Sequence, residues 1–265
     1  MEEFRWDPVD LGFTLISDEK GGCKECIYTQ DEIKSTEFKN GYVKIYELRD
    51  RIQPSKYELD GKFFKRSNAH GYEEILVEND RHSQSFNGYT ADDIEKLLLM
   101  ISERTRELKN YGLGENISVS RYLNGHDYWD MVLLPIPRHK AEKCFVCEGL
   151  SYVGNREVYR TGNITAYVPF SPKKNELMRI TTVKHTAIGE LDNVVAFDIA
   201  NLLIKIIKKI PKDATINIKQ SGADHFEINI FAGEIDPIDA LGITRLNYSP
   251  EETAGKISDK LGDGK

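Results

Sequence analysis

Gly21-Gly-Cys-Lys-Glu-Cys26 and Lys143-Cys-Phe-Val-Cys147 together hold the four cysteines of the chain, and each pair is followed at long range by two histidines. Cys23 and Cys26 are followed by His82 and His126; Cys144 and Cys147 are followed by His185 and His225. Four of the six histidines are used in this way. Zn²⁺ takes four nitrogen or sulfur ligands in a tetrahedron, so two Cys₂His₂ sets point to two metal sites. One Zn²⁺ is expected at the first set, and the second set allows another. A pattern used twice also implies a chain built as two similar halves.

Length and composition are compatible with that plan. The chain has 265 residues and 40% hydrophobic content, enough for one large core or for two of about 130 residues. A net charge of -7 and a pI near 5.5 argue against a surface built for long nucleic acid. The N-terminus begins with acids, lacks a basic leader, and no apolar run approaches the roughly 18 residues of a membrane span. A soluble, cytoplasmic protein without a membrane partner is expected. Thiols stay reduced in that compartment, so C-x-x-C reads as a chelate rather than a disulfide. A thioredoxin-like redox role fits less well, because neither pair opens an evident helix after a strand.

The local patterns indicate an α+β fold of mostly antiparallel sheet. Strands are expected at Gly41–Leu48, Tyr72–Glu78, Ile117–Leu123 and Met131–Leu134, with His126 at the turn between the last two. Thr90 and Asp93 mark the start of a helix whose apolar residues Ile94, Leu97, Leu98, Ile101 and Leu108 recur at helical spacing up to Asn110. The second half repeats the order: strands at Ile164–Val168 and Met178–Val183, a helix over Asp192–Lys209, then strands at Ala214–Lys219 and Phe226–Phe231. The boundary is set by the proline and charges after residue 136, giving halves 1–136 and 137–265. Lys205, Lys208, Lys209 and Lys212 read as a solvated helix face and end. His70 and His139 read as surface residues, and the tail from Gly255 as frayed.

Four segments in order resemble galactose-1-phosphate uridylyltransferase, a duplicated member of the histidine-triad superfamily. FRWDPVDLGFTLIS (Phe4–Ser17) is similar to that family's opening, and AHGYEEILVENDRHSQSF (Ala69–Phe86) to its G-x-H-E-V-I-V-E-x-P-x-H segment. FSPKKNELMRITTVKH (Phe170–His185) resembles its P-x-x-P-x-E-x-x-I-x-P-K-R-H segment, and LGITRLNYSPEETAGKI (Leu241–Ile257) its close. The resemblance implies two histidine-triad-like halves, each a mostly antiparallel sheet with one long helix. It also implies a first zinc site at Cys23, Cys26, His82 and His126. The family's H-P-H-x-Q motif supplies a zinc ligand, the nucleophilic histidine and a phosphate-contacting glutamine. Here those places fall on His126, Tyr128 and Asp130.

The family's second motif, H-F-H-I-E-I, becomes His225-Phe226-Glu227-Ile228-Asn229-Ile230. In both halves the first histidine survives and the second does not. The early loop offers only Lys20 where the family has arginines for phosphate. A phenol with pKa about 10 is a weak substitute for imidazole as a nucleotidyl carrier. Tyr128 and Trp129 read equally as pocket wall or as core and rim, and Glu227 as a replacement ligand or an exposed carboxylate. Three functions remain open: a divergent nucleotidyltransferase or phosphorylase, an inactive binder of a nucleotide or nucleotide-sugar, and a zinc-stabilised structural or interaction protein without nucleotide chemistry. A homodimer is allowed for by the resemblance.

Overall fold

The computed structural model describes residues 2–9, 12–17, 32–39, 41–48, 51–56, 58–78, 88–110, 116–124, 128–135, 143–173, 175–222 and 225–261. In chain order the first half gives β1 (Glu3–Asp7), β2 (Gly12–Ile16), β3 (Glu32–Phe38), β4 (Gly41–Leu48), β5 (Leu59–Asp60), β6 (Lys65–Asn68) and β7 (Tyr72–Glu78). Helix α1 (Ala91–Asn110), β8 (Asn116–Tyr122) and β9 (Tyr128–Leu134) follow. The second half gives α2 (Phe145–Leu150), β10 (Glu157–Arg160), β11 (Ile164–Tyr167), β12 (Glu176–Thr182) and α3 (Asn193–Ile207). It closes with β13 (Ala214–Ser221), β14 (Glu227–Ala232), α4 (Pro237–Ala240), β15 (Thr244–Leu246) and α5 (Pro250–Leu261).

Ten strands form one antiparallel sheet in the order β10-β11-β12-β14-β13-β8-β9-β7-β4-β3. Read outward from its centre, each side places its strands in the same sequence-relative order, so β8 answers β13, β9 answers β14 and β7 answers β12. The seam is the β8–β13 pair, in register from Tyr122↔Thr215 to Asn116↔Ser221. A second sheet of five strands, β15-β2-β1-β6-β5, includes a parallel pairing of β15 with β2. It packs Phe4 and Leu15 against Val132 and Leu134 of β9.

The two long helices lie together on one face of the large sheet. At the start of α1, the Asp93 backbone N–H donates to Thr90 Oγ1 at 3.2 Å while the Thr90 N–H donates back to the Asp93 carboxylate at 2.9 Å. This reciprocal cap satisfies donors that the first helical turn leaves open. Asp192 caps α3 by accepting from the Val195 N–H at 2.8 Å. Ala196, Ile199, Ala200, Leu203 and Ile207 make its buried stripe, which meets Ile216, Ile218, Ile228 and Ile230 of the sheet. Each such large aliphatic contributes about 1.5–3 kcal/mol when fully buried.

Strand β7 carries three buried glutamates, each held by an arginine from a different element. Glu73 takes Arg51, Glu74 takes Arg104 of α1, and Glu78 takes Arg121 of β8. Arg51 also reaches Asp236, at 2.8 Å, just before α4. The clamps pin β7 to its neighbours on both faces.

Two expectations need correction. The C-terminal stretch through Leu261 is helix α5, tied by Glu251 to Arg5 at 2.6 Å, rather than a frayed tail. His70 is buried, with its Nδ1 accepting from the Ser55 N–H at 3.2 Å, because the Gln53–His70 bridge draws it beneath the small sheet's connections. His139 lies outside the described residues.

Candidate metal centre and the polar face of the sheet

Cys144, Cys147, His185 and His225 converge although 81 residues separate the first from the last. Cys144 is the N-cap of α2, Cys147 lies in its first turn, His185 follows β12, and His225 stands at the entry to β14. Their ligand atoms all lie within 4.8 Å of one another. Cys147 Sγ is 3.3 Å from His185 Nδ1 and 3.9 Å from each His225 ring nitrogen. A zinc tetrahedron with bonds of about 2.3 Å to sulfur and 2.0–2.1 Å to nitrogen needs ligand separations of roughly 3.3–3.8 Å. The donors sit close to that arrangement. The two imidazoles stack at 4.6 Å between ring centroids.

Cys144 Sγ accepts from the N–H of Cys147 at 3.5 Å and from the N–H of His225 at 3.4 Å, which fixes the position of the sulfur. His225 is buried while Cys147 and His185 reach the surface, so the cluster closes the edge of the second half from outside. The C-x-x-C pair does open a helix, contrary to the expectation, but one of six residues whose N-cap is itself a ligand. The cluster joins α2, the β12–α3 connection and the entry to β14. Cys23, Cys26, His82 and His126 lie outside the described residues.

Near the β8–β13 seam, the face of the large sheet away from α1 and α3 carries buried polar side chains. Tyr128 is half-buried at the first position of β9, packed beside Leu48, Ile75 and Val77. Trp129 points to the opposite, helical face as core. Asp130, two residues on from Tyr128, is 9% exposed and feels the charge of Arg51. Glu227 and Asn229 occupy the matching places on β14. Glu227 is buried rather than exposed and is paired with Arg179 at 3.2 Å and Lys219 at 3.6 Å, which takes it away from the metal cluster.

Arg179 also bonds Glu176, at 2.5 Å. Burial opposes the Arg179 charge, yet Glu176 and Glu227 outweigh it and hold the guanidinium above its ordinary pKa. Burial pushes the Glu176 carboxyl up, but Arg179 and the Lys173 backbone N–H outweigh it and bring the pKa below the usual carboxylate value. Burial, reinforced by Glu227, raises the Tyr167 phenol. Sequence reasoning missed Arg179, Asn217 and Lys219 as parts of this face. The available signal was the alternation of polar residues through the central strands, where a sheet with one solvated face would show the same pattern.

The chain is α+β with large antiparallel sheets, and its fold is that of solved uridylyltransferase-like structures. A uridylyltransferase mutant structure superposes with a TM-score of 0.68 at 20% identity, covering 99% of this chain and 98% of its own. A GalT-like protein from Arabidopsis thaliana gives 0.62 at 19% identity, covering 96% and 97%. An ADP-glucose phosphorylase from Arabidopsis thaliana, solved with bound ADP-glucose, gives 0.60 at 18% identity, also covering 96% and 97%. No protein-family model matches the sequence, and no curated protein does. Among the described residues, no helix is long and apolar enough to cross a membrane.

Proposed function

We propose that the chain is a zinc-stabilised binder of a nucleotide or nucleotide-sugar, derived from a nucleotidyltransferase and lacking histidine-based uridylyl transfer. The reading rests on the sequence resemblance, which sets Tyr128 where the family has its nucleophilic histidine; Tyr128 opens β9, with the buried Asp130 two residues on. The likeness in fold to proteins named for nucleotide-sugar chemistry supports the ligand class. Cys144, Cys147, His185 and His225 would hold one Zn²⁺, and Cys23, Cys26, His82 and His126 a second. Four protein ligands leave no open position for water, so the ion holds the structure together. The repeated halves 1–136 and 137–265, a cytoplasmic location and a homodimer belong to the same proposal.

The chemistry argues against the usual transfer. A carboxylate at Asp130 repels phosphate where a glutamine would accept it, and a phenol stays protonated near neutral pH. The test is intact-mass analysis after incubation with UDP-glucose, alongside thermal stabilisation by a panel of nucleotides and nucleotide-sugars. Stabilisation without a covalent adduct is expected, and Tyr128→Phe should leave it unchanged. A uridylyl adduct on Tyr128, or turnover abolished by that substitution, would make the chain a working transferase. Absence of stabilisation by every ligand would favour the interaction-module reading, which the exposed Phe145, between the two cysteines in sequence, also suits.

A further inference from the structure

Asp130 on β9, Ser120 on β8, Asn217 on β13 and Asn229 on β14 are successive register partners. They form one polar line across the seam, on the face away from the helices. Asn217 and Asn229 are fully buried. Asn217 spends its Nδ2 on Ser118 and Ser120, at 2.8 and 2.9 Å, leaving its Oδ1 without a partner. Neither the Oδ1 nor the Nδ2 of Asn229 has a partner. Buried polar groups left unmet are rare and costly, which makes three together at one spot a demand for something to bond them.

The chemistry of the line limits what that is. Asn229 offers two N–H donors and a carbonyl acceptor, and Asn217 adds another acceptor. The neighbouring cations, Arg179 and Lys219, are committed to Glu176 and Glu227. A phosphate would find no uncommitted positive charge among these residues. A hydroxyl both donates and accepts without charge, and a sugar ring presents several at once.

The segment between Gly233 and Gly242 forms a strap against β8, β9 and β13, three of the four strands that carry the line. Near its start the Ile235 N–H donates to Thr215 Oγ1 of β13 at 3.2 Å, and farther on Ile238 packs with Val132 and Leu134 of β9. Both end glycines have positive φ, 87° and 77°, a conformation that other residues adopt only with strain.

We propose that the Asn217–Asn229 line is the subsite for the sugar of a bound nucleotide-sugar, with the strap turning at Gly233 and Gly242 to admit it. This rests on the nucleotide-sugar reading above. The experiment is calorimetric titration of wild type and Asn229→Leu with UDP-glucose, ADP-glucose and the two nucleoside diphosphates. Wild type should hold a nucleotide-sugar about tenfold or more tighter than its diphosphate. Asn229→Leu should abolish that advantage while leaving diphosphate affinity unchanged. An advantage that survives in Asn229→Leu, or one absent from wild type, overturns the subsite and leaves nucleotide binding standing. Failure of every ligand to bind overturns the nucleotide reading itself, and the subsite with it. If Asn229→Leu does not fold, Asn229→Ala carries the same comparison with the same outcomes.

Discussion

Replacing Glu78 with leucine should be among the most damaging single changes in the first half, for reasons that can be summed. Glu78 is fully buried and accepts from Arg121 Nη2 at 3.0 Å and Nε at 3.3 Å, and from the Trp129 indole N–H. Arg121 is 1% exposed and cannot shed its charge. Breaking a buried pair by removing one partner costs about 3–5 kcal/mol, because the other charge is stranded. The indole N–H loses this acceptor as well, which adds about 1–3 kcal/mol. Against a total stability of about 5–15 kcal/mol, the loss is a large fraction. Urea titration followed by tryptophan fluorescence reads it, and with a slope of about 3 kcal/mol/M the midpoint should fall by roughly 1.3–2.7 M. The double variant Glu78→Leu/Arg121→Met removes both charges, so only the indole penalty remains and most of the midpoint should return. A single variant within about 1 kcal/mol of wild type, or a double variant no better than the single, would refute the account of a charge clamp.

Two further outcomes follow from the site. Cys147→Ser should lower bound zinc by one equivalent on elemental analysis and expose α2 to hydrogen exchange, since the cluster is what joins that helix to β14; unchanged zinc would remove this metal centre. Glu176 has a folded pKa below its ordinary 4.5, so its stabilisation is full above that value and is lost as pH falls through the folded pKa. The stability gap between wild type and Glu176→Gln should therefore narrow on acidification below about pH 4.5, and a gap that stays constant would count against the Arg179 pairing.

Much of this chain is legible without its structure. The strands Gly41–Leu48 and Tyr72–Glu78 fall where read, one long helix starts at the cap expected of Thr90 and the other next to its expected first residue, Asp192, because alternation, helical periodicity and capping act within a few residues. The second Cys/His set was legible for another reason: a tetrahedral ion demands four soft donors, and the chain has few others to offer. Distant pairing is different. Nothing local says that β8 lies against β13, that β15 runs parallel to β2 more than two hundred residues away, or that Arg51, Arg104 and Arg121 each claim one glutamate of β7. His70 reads as a surface residue and Glu227 as a replacement ligand or an exposed carboxylate until the fold buries them. A period of two shows that a strand has two faces; only the neighbours brought across the sheet and over it decide which polar face meets water and which is sealed with its hydrogen bonds unmet.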